Sequence, residues 1–239
     1  MATDPLAYLQ TLLSKDFVSA QYAKNHEKKE RQPLVITLSR DYGALGETIA
    51  KQLAECLGIP VYDQEMLELV SQRAKTDKFY FQHHDEQVDA GITSFLYSLV
   101  SGSPATLNSY RRHLYEAVLD VARKDCLIIG RGAHLILSGK KVFRVRIVGT
   151  KVVCAQRIAE ELNIPINEAE QTVFEINDKR HKSIMNLFSE HFKHCSLEHA
   201  TNFDLVINTD HIPADGAMPV ILMAMQQSGF DLTGSRVKS

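Results

Sequence analysis

The feature that most constrains this chain is a change of pattern between residues 33 and 63. Pro33-Leu34-Val35-Ile36-Thr37-Leu38 is a short β-rich run without clean alternation, as expected of a strand buried on both faces of a parallel sheet. It enters a turn, residues 39–46, that carries Gly43 and Gly46. The period then changes. Ile49, Ala50, Leu53, Ala54 and Leu57 fall on one helical face, and Gly58 ends the run, because glycine readily takes the left-handed conformation that closes helices. Ile59-Pro60-Val61-Tyr62 reads as a second strand, closed by Asp63. Strand, turn, helix and strand within about thirty residues make a βαβ unit.

The alternation continues. Further strands are predicted over residues 126–129, 142–148 and 203–207. Helical patterns separate them, through Leu114, Ala117, Val118 and Val121, then through Ile158 and Leu162, and residues 218–225 read as a closing helix. Such a chain predicts a parallel sheet with helices on both faces. Two stretches exceed the minimal alternation. Residues 64–125 look largely helical, with one break at Ser101-Gly102-Ser103-Pro104, and residues 163–202 are rich in Lys, Arg and His. In open α/β sheets ligands bind beyond the carboxyl ends of the strands, where long insertions form covers and lids. Ahead of the sheet, Leu6, Leu9, Leu13 and Phe17 have helical spacing, and residues 24–31 are almost wholly polar and charged. Residues 1–32 are therefore read as an amphipathic helix and linker, and residues 33–239 as one domain.

The charge balance limits the partners. With 27 Lys+Arg against 29 Asp+Glu, no broad field points to nucleic acid, and any anion site must be local. Cys56, Cys126, Cys154 and Cys195 form no CxxC pair, and reduced thiols, three of them in apolar or helix-like stretches, are the plain reading. The N-terminus shows no charged-then-apolar signal segment, and no apolar run approaches a membrane span. The expectation is a cytoplasmic protein with no membrane partner.

The turn at residues 39–48 is the chemical centre of the reading. A Walker A loop uses glycines so that backbone N–H groups wrap phosphate, a lysine for charge and a Ser/Thr hydroxyl for magnesium. Aligning its second glycine on Gly46 puts Thr48 at the hydroxyl, Glu47 at the lysine and Asp41 at the first glycine. A phosphate cradle at a helix N-terminus competes with a plain βα turn whose glycines permit tight packing. Arg40 supplies a positive charge to the cradle, or a salt bridge at the strand end. Arg131, in a Gly-Arg-Gly setting after the third strand, suits bidentate grip of a monophosphate. Arg157, Lys179, Arg180 and Lys182 are cations suited to phosphoryl transfer, though any one of them alone reads as a solvated helix face. Asp63 orders a substrate hydroxyl or a magnesium-bound water, or caps the next helix. His191, His194, Cys195 and His199 match no standard zinc spacing.

Several of these segments together resemble the cytidylate kinase-like family of P-loop proteins. They are Ser39-Arg40-Asp41-Tyr42-Gly43-Ala44-Leu45-Gly46, then Ile49-Ala50, then Leu57-Gly58-Ile59-Pro60-Val61-Tyr62-Asp63. They continue with Asp85-Glu86, Ile129-Gly130-Arg131-Gly132-Ala133, Asp178-Lys179-Arg180 and Phe203-Asp204-Leu205-Val206-Ile207-Asn208-Thr209. The resemblance covers roughly residues 33–215 and departs where Leu45 interrupts the glycines and Glu47 replaces a basic residue. It implies a three-layer α/β/α sandwich with a parallel five-stranded sheet, an acceptor-binding helical insertion at residues 64–125 and a lid over residues 155–202.

The activity implied is ATP-dependent phosphotransfer to a nucleoside monophosphate or similar small phosphorylated acceptor. ATP would lie along Tyr42, Gly43, Ala44, Leu45, Gly46, Glu47 and Thr48, with Mg²⁺ on Thr48. Arg131 and Asp63 would serve the acceptor, and Arg40, Arg157 and Arg180 the transferred group. A non-catalytic nucleotide-binding module with a degenerate loop is the alternative. For it, or for a homodimer, the N-terminal helix and residues 92–100 offer docking surfaces, which core packing explains equally well. A dinucleotide-binding reading, with Asp63 as the ribose acid, lacks the first glycine of its fingerprint and leaves the Lys/Arg-rich insertion without a role.

Overall fold

The chain begins its sheet with β1 (Val35–Arg40), in which Ile36 and Leu38 are wholly buried on one face while Val35, Thr37 and Ser39 are buried on the other. A strand so enclosed must lie in the middle of a covered sheet, and it does. In the computed structural model, which describes residues 32–63, Met66 and residues 104–232, five strands pair in the order β2-β3-β1-β4-β5. All pairings are parallel, with Val35 opposite Cys126 and Ile36 opposite Phe143.

The other strands are β2 (Val61–Tyr62), β3 (Cys126–Ile129), β4 (Phe143–Val148) and β5 (Leu205–Asn208). They lie within one to two residues of the expected runs. The five-stranded parallel sheet is thus confirmed, and so are its covered faces. Helices α1 (Gly46–Leu57), α4 (Lys151–Leu162) and α6 (Ala214–Gln227) pack against Ile36, Leu38, Val145 and Ile147. Helix α2 (Pro104–Val121), the short α3 (Ala133–Ile136) and the second half of α5 (Ile166–Phe188) cover Val35, Cys126 and Ile128 on the opposite face. The result is a three-layer sandwich inside the compact unit Pro33–Ser239.

Helix α1 starts where the period change predicts, and Gly58 closes it in the left-handed region at φ 64°. Helix α2 opens on Pro104, whose missing N–H costs nothing in a first turn. Helix α5 crosses from one face to the other, since Ala169 and Val173 join the first core and Ile184, Leu187 and Phe188 the second. It therefore passes over the sheet near the strand ends. Of the span expected as a lid, residues 155–162 belong to α4, whose Ala155 and Ile158 are core residues. Cys126, Cys154 and Cys195 are buried free thiols, and Cys56 is half-buried. The expected N-terminal helix, its linker, Asp85-Glu86 and residues 92–100 lie outside the described residues. Among the described residues no helix is long and apolar enough to cross a membrane.

Candidate phosphate-binding site at the end of β1

The strand order reverses at β1, whose neighbours are β3 and β4, and the crevice beyond such a point is where α/β sheets bind ligands. The loop 41–45 lies there. Two neighbours fix its backbone. Arg157 of α4 donates from Nη1 to the Gly43 carbonyl (3.2 Å), and Thr209 Oγ1 donates to the Ala44 carbonyl (3.1 Å). With those carbonyls held on the α4 and β5 side, the chain turns into α1 through Leu45 in the left-handed region at φ 62°, without a side-chain cap. The N–H groups of Leu45, Gly46, Glu47 and Thr48 consequently have no acceptor among the described residues. Four consecutive unspent donors at the positive end of a helix form an anion nest.

Both loop glycines are explained by packing. A Cβ on Gly43 would stand 2.7 Å from the Cys154 carbonyl oxygen, and one on Gly46 would stand 2.4 Å from Arg40 Cβ. The second contact shows how charge reaches the nest. The aliphatic stem of Arg40 lies against Gly46, so the cation that a Walker lysine would bring from the helix arrives from the strand. Arg40 Nε donates to Glu47 Oε1 (2.8 Å) and Nη2 to Asp63 Oδ2 (3.2 Å). Asp63 thus meets the site at the end of β2, as a partner of Arg40. Leu45 is packed against the core, which carries its bulk away from the nest.

Helix α5 brings the second cation. Arg180 Nη1 donates to the Arg40 carbonyl (3.1 Å), Nη2 lies 3.6 Å from Glu47 Oε1, and the guanidinium sits 5.8 Å from the Tyr42 ring centroid. Burial, then the neighbouring Arg40 charge, pulls Arg180 down to about 10, against the opposing pull of Glu47, Asp63 and Asp41. Two guanidiniums in one partly dry place favour an anion between them. Arg131 approaches from β3 and has no hydrogen-bond or ion-pair partner among the described residues. It stands at φ 54° between Gly130 at 68° and Gly132 at 67°, three successive left-handed residues of the kind that collect at functional sites.

Other expected residues sit differently. Arg157 spends Nη1 and Nη2 on Gly43, on Thr209 Oγ1 (3.1 Å) and on the Thr209 carbonyl (2.7 Å), which places it as a brace of the loop. Lys179 and Lys182 are exposed and pair along α5 with Glu175 and Asp178. His194 and His199 rings contact one another at 5.1 Å, and no cluster of metal-ligating side chains occurs among the described residues. Thr48 is exposed in the first turn of α1. Its hydroxyl and the carboxylates of Asp63 and Glu47, both held on Arg40, are hard oxygen donors. Magnesium takes such donors together with phosphate oxygens, so these residues fit the ion, and the nest fits a nucleotide's phosphates.

Two residues of the site were not read from the sequence. Asn177 Oδ1 accepts from the Tyr42 N–H (2.8 Å), and Arg146 Nη2 donates to Asp41 Oδ1 (2.5 Å). Arg146 had a visible signal, a charge alternating with apolar residues inside a central strand. Asn177, one polar residue among many on a long helix, had none.

The model of the cytidylate kinase-like family matches residues 35–211, which includes every residue of this site. The chain belongs to that family. Among solved structures, this cytidylate kinase-like protein is similar to an uncharacterised protein from Eubacterium ventriosum, at 20% identity and a TM-score of 0.61, over 82% of this chain and 99% of that one. A shikimate kinase from Bacteroides thetaiotaomicron aligns at 13% identity and a TM-score of 0.46, over 82% and 99% of the two chains. A gluconokinase from Sinorhizobium meliloti aligns at 12% and 0.40, over 83% and 95%. No curated protein matches the chain.

Proposed function

We propose that this protein is an ATP- and Mg²⁺-dependent phosphotransferase acting on a nucleoside monophosphate or a similar small phosphorylated acceptor. One observation carries the reading: the N–H groups of residues 45–48, unspent among the described residues, lie beside Arg40 and Arg180, with Arg131, likewise without a partner among the described residues, at the end of the neighbouring strand. Phosphoryl transfer asks the protein mainly for positioning and for neutralisation of spread negative charge. The N–H groups bind phosphate oxygens, and Tyr42, Gly43, Ala44 and Leu45 shape the loop that presents them. Arg40 and Arg180 neutralise the group in transit. Arg131 grips the acceptor's own phosphate, and Asp63 orients its attacking oxygen. Thr48, with Asp63, would hold the ion. ATP supplies the phosphoryl group, and Mg²⁺ supplies the divalent charge that binds its oxygens.

The second reading is a non-catalytic nucleotide-binding module. It is favoured by Glu47, whose carboxylate stands 2.8 Å from Arg40 and 3.6 Å from Arg180, where a phosphate oxygen would be expected.

A single experiment separates the readings. The full chain is incubated with ATP–Mg²⁺ and each of CMP, dCMP, UMP and AMP, and ADP release is followed beside nucleotide binding. Turnover with one monophosphate supports the kinase. Binding of ATP–Mg²⁺ without turnover supports the module, and absence of any nucleotide binding refutes both.

A further inference from the structure

A second cavity lies beside the loop. It has a volume of about 360 Å³ and is bordered by the ends of β4 and β5, by α5, by the start of α4 and by residues 197–203. Its size falls in the range of small-molecule sites, and its walls divide by chemistry. Val148, Leu197, Phe203 and Val206 give it an apolar side.

Two cations give it a charged side. The Arg146 side chain is only 8% exposed, and Nη2 is committed to Asp41. Its remaining donors, Nε and Nη1, are buried without a partner, a condition that costs free energy in a folded protein. Lys151, at the rim, has no ion pair among the described residues and rests over the Phe174 ring, 5.3 Å from its centroid. The lining also holds two carboxylates, Asp41 and Glu198. Asp41 is already shared with Arg146, and Arg144 is answered by Asp204. His134, close behind, is held neutral, pushed down to about 3 by burial and then by Arg146 and Arg144. Glu198 is the one further carboxylate of the lining, on the exposed segment opposite.

The form of the charge selects the ligand. The first turn of α4 is capped by Thr150, whose side chain accepts from the Val153 N–H. With the Thr150 N–H also spent on Asp210 Oδ1 (2.9 Å), fewer free N–H groups are offered there for a phosphate than in the nest at residues 45–48. A guanidinium and an ammonium beside an apolar wall suit a singly charged head on a small apolar body. Two further lining residues tie the cavity to the loop: Asp41 belongs to it, and Asn177 holds the Tyr42 N–H.

We propose that this cavity is a second ligand site, distinct from the phosphate nest, that takes small organic monocarboxylates and is coupled to the loop through Asp41 and Asn177. The proposal stands apart from the kinase reading, and its test needs no turnover.

The full chain is titrated with hexanoate and with benzoate, and with hexanol and inorganic phosphate as controls, by calorimetry and by amide NMR. The carboxylates are expected to bind saturably and to move the Asp41 and Tyr42 amide resonances, while hexanol does neither. Arg146→Gln also unpairs Asp41, so exposed Lys151 carries the mutational test. Lys151→Glu should weaken carboxylate binding by about tenfold, the scale of reversing one close charge contact, while Arg131→Gln leaves it unchanged. Equal binding of hexanol, displacement of the carboxylates by phosphate, unchanged affinity in Lys151→Glu, or stationary Asp41 and Tyr42 resonances would each overturn the proposal.

Discussion

Replacing Glu47 by Gln removes a carboxylate from the middle of the candidate nucleotide site while keeping its size. In the free protein that carboxylate answers Arg40 at 2.8 Å and approaches Arg180 at 3.6 Å. It therefore consumes the charge that a phosphate would otherwise meet, and it repels the phosphate directly. The magnitude follows from Coulomb's law. Glu47 is 51% exposed, so an effective dielectric between the protein and bulk-water limits is appropriate. Two unit charges about 5 Å apart at a dielectric of about 40 interact by roughly 1.7 kcal/mol.

Relief of that repulsion should tighten nucleotide binding by about 1 to 2 kcal/mol, or roughly tenfold in Kd. The stability cost is small, because a half-exposed ion pair contributes about 0–1 kcal/mol. Calorimetric titration of wild type and Glu47→Gln with ATP–Mg²⁺, at low and at moderate salt, measures the difference. The gain should shrink as salt rises. Glu47→Lys should exceed it, because it adds a cation as well. Unchanged affinity would sink the idea that Glu47 obstructs the nest. Affinity weakened by a similar factor would assign the carboxylate to the bound magnesium instead.

Arg131→Gly should abolish acceptor-phosphate binding and yet raise stability by up to about 1 kcal/mol in urea unfolding, since it relieves a left-handed arginine; a loss of stability would show that the strain is offset by contacts of the side chain. Gly132→Ala should destabilise by about 2 kcal/mol or more, because its Cβ would stand 2.1 Å from the Phe188 ring at φ 67°, and a near-neutral denaturation midpoint would mean that the end of α5 yields easily. His134 gives a pH signature. Its folded pKa is lowered to about 3 from 6.5, so below pH 6.5 the unfolded chain takes up a proton that the folded one refuses. Stability should therefore fall on acidification by about 1.4 kcal/mol per pH unit between 6.5 and about 3. His134→Leu should remove that component of the slope, and an identical slope in the variant would show that His134 is protonated in the fold.

The contact of α5 with the loop gives one further expectation. Asn177→Ala removes the acceptor of the Tyr42 N–H (2.8 Å) and should speed amide exchange at Tyr42 by about fivefold or more, the scale of one hydrogen bond of about 1 kcal/mol. Unaltered exchange there would mean that the loop conformation does not depend on α5.

The sequence by itself determined the sheet, because burial on both faces leaves a local signature: Val35-Ile36-Thr37-Leu38 and Cys126-Leu127-Ile128-Ile129 have no solvent side to mark with polar residues. It also determined where α1 starts and stops, since Gly46, the apolar face through Leu57 and Gly58 act within a few residues of one another. The sites of Arg40, Arg131 and Arg180 were legible as charges at strand ends or in a basic insertion. What each charge does was not.

Only the tertiary structure decided that Arg157 spends its donors on the loop and on Thr209, that Arg40 crosses Gly46 to meet Glu47 and Asp63, and that Asn177 reaches Tyr42. Arg157 lies 114 positions from Gly43 and 52 from Thr209, and Asn177 lies 135 from Tyr42, and no local periodicity records such a meeting. The physical reason is the same in each case. A local pattern is set by which face of an element avoids water, whereas the partner of a polar group is set by which distant element closes over it.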